Sequence, residues 1–302
     1  LVRQFFAVAA WHEPQPQESH GMNRLLIFGL GYCGAAISRA AAAAGFEVTG
    51  TTRAASSGTL PFDAAPDSVR SATHLLSTAA PDADADPVLA RYRREIAAAP
   101  HLRWIGYLSS TGVYGDRGGG WVDEDTQAAP SQARGLRRLD VENAWAGFAD
   151  RYAVDIFRLA GIYGPGRSAL DELRAGRARR IIKPDHQFGR IHRDDIARAV
   201  VAAMRQDRPP GRRILNLADD EPAESAVVLT EAAALLGVDP PPAIAFADAE
   251  AAMSPMARSF WAENRKVASQ KTKTALGISW LYPTFREGLR AILVEQRGKG
   301  LP

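Results

Sequence analysis

The chain has one cysteine, Cys33, among its 302 residues, so it has no intrachain disulfide. That usage suits a reducing compartment, and a cytoplasmic location is expected. It lacks any run of about 18 apolar residues, which excludes a membrane-spanning helix. It lacks His, Cys and Asp at metal-ligand spacing, so no metal is expected. It lacks the G-x-S-x-G elbow of a serine hydrolase. The formal net charge is only +3, the basic residues are scattered, and neither a basic helix nor zinc-finger spacing occurs. Nucleic acid is therefore not an expected partner. No internal repeat is found. A hydrophobic share of 46% with 24% charged residues is ordinary for a globular protein, and the length allows one large α/β domain or a main domain with a smaller one.

Phe5 to Trp11 is a short apolar stretch that faintly resembles a signal core. One positive charge precedes it and polar HEPQPQESHG follows. Met22 stands immediately before the first apolar run. Residues 1–21 therefore read as an extension without fixed structure, with the fold starting at Met22.

The strongest signal lies between Arg24 and Arg53, RLLIFGLGYCGAAISRAAAAAGFEVTGTTR. Leu25 to Phe28 fits a buried parallel strand. Gly29, Gly31 and Gly34 give G-x-G-x-x-G, and an alanine-rich helix former follows. Gly45 stops that helix, and Phe46 to Thr52 supply a second strand. Gly29 permits the tight turn, Gly31 lets backbone approach a pyrophosphate, and Gly34 lets helix and strand pack closely. The amides of Tyr32 and Cys33 belong to the same mouth, at the positive end of the helix dipole. The glycine spacing is weak alone and strong between this strand and this helix. A dinucleotide cofactor is predicted. The second strand ends in Thr51-Thr52-Arg53 with no acid, and Glu47 lies at its wrong end. Hydroxyls followed by a guanidinium suit a 2′-phosphate, which favours NADP over NAD. Cys33 reads as a small residue fitting a tight turn.

Downstream, Ala54 to Ser71 reads as irregular. His74 to Thr78 is a strand whose end, Ser77, Thr78 and Ala79, would flank the cofactor ribose. Pro87 to Ala99 is a helix opened by proline. Trp104 to Leu108 is a strand running into Ser109-Ser110-Thr111-Gly112-Val113-Tyr114-Gly115. A helix opened by Pro130-Ser131 extends to about Asp150, and Val154 to Leu159 is the next strand. After Gly161 the alternation loosens. Helices are expected at Leu170 to Gly176, Ile196 to Met204, Glu224 to Leu236 and Phe285 to Val294, with a strand at Ile214 to Ala218. The pattern predicts a Rossmann-type doubly wound parallel sheet with a smaller C-terminal substrate lobe. The dinucleotide-binding part would span 22–160 and 191–218, and the lobe 161–190 and 219–302. Asp123-Glu124-Asp125 reads as a solvated acidic patch.

The phrases LSSTGVYGD, RLAGIYGPGR, IHRDDIA and ENRKVASQKTKTALGISWLYPTFREGL, in that order after the glycine turn, resemble the extended short-chain dehydrogenase/reductase family. The resemblance covers about residues 23–295. That family holds nucleotide-sugar epimerases and dehydratases. It implies a Ser or Thr after the fourth strand that orients the substrate oxygen, matched here by Ser110 with Thr111 beside it. It also implies a Tyr-x-x-x-Lys on the following helix, and a homodimer through the helices after Pro87 and Pro130. The turn GLGYCG is shorter than the family's G-x-x-G-x-x-G, which places the chain in an atypical branch.

The Tyr-x-x-x-Lys is absent. Pro130 to Glu142 reads PSQARGLRRLDVE, with Arg134 where the tyrosine is expected and Arg138 where the lysine is expected. Arginine keeps its proton far above neutral pH and cannot shuttle it. Four apart, the two share a helix face. Arg138 would replace the lysine electrostatically, and Arg134 would anchor an anionic substrate or polarise an oxyanion. Tyr114 and Tyr163, on strand-end loops, are candidate proton donors with a competing packing role. His192, with Asp194 as a cap, would fix the junction between the lobes. The reading is an NADP-dependent oxidoreductase or epimerase-like enzyme acting on a small molecule. The alternative is an NADP(H)-binding sensor without turnover.

Overall fold

The computed structural model describes residues 22–53, 57–82 and 85–298. Residues 1–21 lie outside the described residues, as does the extension expected there. The first half runs β1 (Arg24–Phe28), α1 (Tyr32–Ala43), β2 (Glu47–Thr52), β3 (Leu60–Pro61), α2 (Pro66–Ser71), β4 (His74–Ser77), α3 (Pro87–Ala98) and β5 (Trp104–Ser110). Then come β6 (Trp121–Val122), α4 (Ala133–Ala146), β7 (Ala153–Leu159), β8 (Gly161–Tyr163), α5 (Ala169–Arg174), β9 (Arg180–Ile182), β10 (Arg190–His192), α6 (Arg193–Met204) and β11 (Gly211–Leu217). The chain ends with α7 (Ser225–Leu236), β12 (Ala243–Ala245), α8 (Phe246–Glu250), α9 (Pro255–Trp261), β13 (Lys266–Val267), α10 (Gln270–Leu276) and α11 (Phe285–Gly298).

Seven strands form one parallel sheet in the order β11-β7-β5-β4-β1-β2-β3. The order reverses between β1 and β4, and such a switch point opens a crevice at the strands' carboxyl ends. Strand alternation sorts the core into two layers. Leu25, Ile27, Trp104, Leu108 and Phe157 face Ile37 of α1 and Ile196 and Val200 of α6. Leu26, Phe28, Ile105, Tyr107 and Ile156 face Tyr92 and Ile96 of α3 and Trp145 of α4. Each such fully buried large side chain contributes about 1.5–3 kcal/mol.

Ser57 to Ser71, the described part of the stretch expected to be irregular, is more ordered than its composition suggested. β3 pairs with Thr51 and Thr52, and Pro66 opens α2. A two-residue strand is too short to show periodicity, and its register is set by β2 rather than by its own sequence. The helix after Pro130 is also shorter than expected, Ala133–Ala146.

The second lobe sits at the carboxyl ends of the sheet. β8 follows β7 after one residue and pairs with β10, while β9 pairs with β12. Tyr163, Leu170, Val228, Phe285, Leu289 and Ile292 make its apolar centre. β13 pairs with β6, tying the lobe to the loop after β5. His192, not Asp194, caps α6, because its ring Nδ1 accepts from the Asp194 amide at 3.1 Å.

Candidate functional site

At the switch point, α1 starts at Tyr32 with Gly31 as an extended N-cap, no side-chain cap and no acid in its first turn. Among the described residues no side chain caps its leading amides, which at the positive end of the helix favour an anion. A Cβ on Gly31 would meet nothing within 4 Å, so this side of the turn is open. The other glycines are crowded. Gly29 has φ +100°, and a Cβ on Gly34 would lie 2.1 Å from the Gly29 carbonyl oxygen. Thr78 holds the turn from β4, its Oγ1 donating to the Gly29 carbonyl at 2.6 Å. An open face, uncapped amides and a pinned turn fit a dinucleotide diphosphate.

Around this mouth, the Tyr32 ring lies under the guanidiniums of Arg193 (5.1 Å) and Arg167 (5.8 Å), and its hydroxyl donates to the Pro165 carbonyl. Burial raises the Tyr32 hydroxyl and pushes the Cys33 thiol up to about 11, so Cys33 is no thiolate. Thr52 ends β2 and exposed Arg53 follows it, with no acid in the sequence from Val48 to Ser57. Two expected ribose neighbours are corrected. Ser77 is fully buried in β4, and Ala79 packs against the apolar layer under α3. Neither lines the cavity, whereas Thr78 does.

A cavity of about 680 Å³ runs from Gly31 to Cys33, beneath the end of β5, to the second lobe. Ser109, Ser110, Thr111 and Gly112 line it from β5 and the 3₁₀ turn that follows. The Ser110 hydroxyl oxygen accepts from the Gly112 amide at 3.1 Å, which leaves its own proton free to donate. Arg134 and Arg138 line the cavity from α4. Arg138 is 9% exposed and donates to the Tyr107 hydroxyl (2.8 Å) and the Leu108 carbonyl (3.1 Å). Arg134 stands at the rim, 5.3 Å from the Phe260 ring, its pKa lowered by partial burial and by the charge of Arg138.

Tyr114 does not line the cavity. It is fully buried, donates its hydroxyl to Asn216 Oδ1 at 2.8 Å, and carries the Arg158 guanidinium 4.7 Å from its ring. The 3₁₀ turn directs it inward, so it packs. Tyr163 does line the cavity, but its hydroxyl is buried without a partner and its pKa is raised by burial and by Asp219. The expected acidic patch is also revised. Glu124 turns inward and accepts from the amide and hydroxyl of Thr272 at 3.1 and 2.6 Å.

Sequence reasoning gave no role to Glu263, Asn264 and Arg265, inside the phrase ENRK. Glu263 and Arg265 line the cavity opposite Ser110. Arg265 Nη1 donates to Glu263 Oε2 at 2.7 Å and to the Gly115 carbonyl at 3.0 Å. Glu263 Oε1 accepts from Ser131 at 2.9 Å. Asn264 pins the segment: its amide donates to Asp116, its carbonyl accepts from the amides of Arg117 and Gly119, and its side chain bonds Asp185 and Gln187. The only signal in the sequence was an acid and a base flanking a hydrogen-bonding residue just before a β-branched strand.

No protein-family model matches the chain. The Escherichia coli protein YeeZ is 30% identical over 248 residues, covering 73% of this chain and 86% of YeeZ. A solved structure of a functionally unknown conserved protein from Silicibacter pomeroyi is 42% identical, with TM-score 0.84 over 91% of this chain and 99% of the other. A human epimerase family protein solved with NADPH shares 21% identity and the fold, with TM-score 0.75 over 89% of this chain and 98% of the other. The chain belongs to an atypical branch of the extended short-chain dehydrogenase/reductase family, the group of the NAD-dependent epimerases and dehydratases.

Proposed function

We propose that the protein is an NADP(H)-dependent oxidoreductase of this family acting on a small, oxygen-bearing anionic molecule. The observation that carries the reading is continuity. One cavity joins the open glycine mouth to Ser110, Arg134 and Arg138. The cofactor would rest its diphosphate on the amides after Gly31, with Tyr32, Arg167 and Arg193 alongside. Arg53 and Thr52 would hold the 2′-phosphate, and Thr78 would flank the nicotinamide half. When bound, the nicotinamide supplies or accepts hydride, and the protein positions it. Ser110 would donate to the reacting oxygen, with Thr111 beside it. Arg138, buried and fixed by two acceptors, would supply the positive charge that the lysine gives in the family pattern. Arg134 would meet an anionic group of the substrate at the rim.

The test is direct. NADPH and NADH are titrated against the protein by fluorescence, and NADPH oxidation is followed with an array of aldehydes, ketones and nucleotide sugars. Tight NADPH binding with turnover of one carbonyl class supports the proposal. Binding without turnover across the array supports the sensor reading. No binding of either dinucleotide removes both.

A further inference from the structure

The absent tyrosine leaves a chemical gap. Hydride reaching a carbonyl carbon leaves a full negative charge on the oxygen, and the family pattern neutralises it with that tyrosine. Among the described residues, the cavity's two tyrosines and its thiol are held protonated by burial. None of the three is poised near neutral pH. The second lobe supplies something else at this point. An ideal Cβ on Gly112 would lie 3.4 Å from Ser110 Oγ and 3.8 Å from Arg265 Nη2, so the two groups flank one small gap beside β5. Arg265 Nε is buried without a partner, and Glu263 and Gly115 occupy only Nη1. Glu263, the carboxylate on the same segment, accepts from Arg265 and Ser131. Among the described residues neither Arg265 Nη2 nor the Ser110 hydroxyl proton is engaged by an acceptor, so the gap presents two donors. It suits an acceptor-only oxygen, and best one carrying negative charge.

We propose that Ser110 and Arg265 form an oxyanion subsite across the two lobes, with Arg265 as a catalytic residue and Glu263 as the positioning residue that aims it. This rests on the nicotinamide reading above and deepens it: the substrate is a carbonyl compound whose oxygen turns anionic during reaction. A reduced nicotinamide held at the glycine mouth would supply hydride to the carbonyl carbon and be left oxidised, with the C=O π pair moving onto the oxygen. Arg265 and Ser110 would hold that alkoxide until a proton from solvent neutralises it. Charge stabilisation by a fixed guanidinium replaces proton donation by a phenol. The rings of Phe188 and Trp261, 5.0 Å apart in the same cavity wall, suit a planar apolar body on that substrate.

The experiment uses benzoate as an oxyanion mimic and benzyl alcohol as its neutral counterpart, titrated calorimetrically into the full chain with and without NADP⁺. Benzoate is expected to bind about tenfold or more tighter than the alcohol. Arg265→Gln is expected to weaken benzoate by about tenfold or more, with Arg265→Lys intermediate because it keeps charge without the fork. NADP⁺ affinity should change less than about twofold in these variants. Gly112→Ala covers the case in which Arg265→Gln fails to fold. Its methyl fits at 3.4–3.8 Å from its neighbours and fills the gap itself. It should keep NADP⁺ binding and lose benzoate. Glu263→Gln removes a competing charge while keeping an acceptor for Arg265, so benzoate should tighten, which a merely structural glutamate would not produce. Benzoate binding unchanged by both Arg265→Gln and Gly112→Ala, or absent from wild type that binds NADP⁺, overturns the subsite. Failure of NADP⁺ to bind, with benzoate still dependent on Arg265, overturns the cofactor reading and leaves the subsite standing.

Discussion

Arg158 of β7 grips Glu142 of α4 with hydrogen bonds of 2.7, 3.1 and 3.2 Å, in a place where both side chains are only 4% exposed. Ser109 adds a bond to Glu142 Oε1 at 2.5 Å. Three elements are thus fixed together, and two of them, the end of β5 and the start of α4, present Ser110, Arg134 and Arg138 to the cavity. The pair sets the geometry of the site without lining it.

Removing one partner leaves the other charge buried and alone. Arg158→Leu is expected to cost about 3–5 kcal/mol, while the double replacement Arg158→Leu with Glu142→Leu costs much less. Urea denaturation of the wild type and both variants measures this. A single mutant as stable as the double would show that the pair does not tie α4 to the sheet.

The glycine turn separates binding from folding. Gly31→Asp meets no atom within 4 Å, so thermal stability should hold. Its carboxylate would face the diphosphate, and repulsion of about 3 kcal/mol at an effective dielectric near 20 corresponds to roughly 100-fold weaker NADP⁺ binding. Gly34→Ala should behave oppositely. Its Cβ would stand 2.1 Å from a carbonyl oxygen, and about 1–3 kcal/mol of stability is lost. Calorimetry and a thermal melt on both variants separate the two roles. Tight binding by Gly31→Asp would remove the turn as the diphosphate site.

Cofactor choice rests on Arg53. Arg53→Ala should weaken NADPH by about tenfold and NADH by less than about twofold, since only the first carries a 2′-phosphate. Fluorescence titration reads both. Equal losses would show that Arg53 is only a solvated loop charge.

The Rossmann half was legible because its signals are local. Leu25 to Phe28, the three glycines and the alanine run each lie within a few residues of what they determine. Ser110 and Arg138 were picked out by the resemblance to the family's phrases, and both line the cavity. The lobe was not legible in this way. β8 meets β10 across an intervening helix and strand, and β9 meets β12 from 63 residues away. Arg265 reaches Ser110 because Asn264 is held by the loop at Asp116 to Gly119, a contact across nearly 150 residues. Tyr114 was misplaced for a local reason. A 3₁₀ turn, rather than an extended loop, follows Ser110 and swings the ring into the core.

His74 makes the fold sensitive to acid. It is 2% exposed, with Nε2 donating to the Met204 carbonyl at 3.1 Å, and burial together with the nearby charge of Arg103 pushes its pKa down to about 4. Above pH 6.5 neither the folded nor the unfolded imidazole is charged. Below it the unfolded chain binds a proton that the folded chain refuses, so stability falls as pH falls, until the native ring titrates near 4. The loss across that window is about 3 kcal/mol. Burial lowers His192 as well, and it acts in the same direction. His74→Phe keeps ring packing against Phe46 and Trp104, 5.0 and 6.0 Å away, but takes no proton. It should be less stable at pH 7.5, because Met204 loses its donor, yet lose about 2 kcal/mol less than wild type on going to pH 5. Urea denaturation at the two pH values decides, and an unchanged pH dependence in the variant would mean that His74 takes up its proton equally readily folded and unfolded.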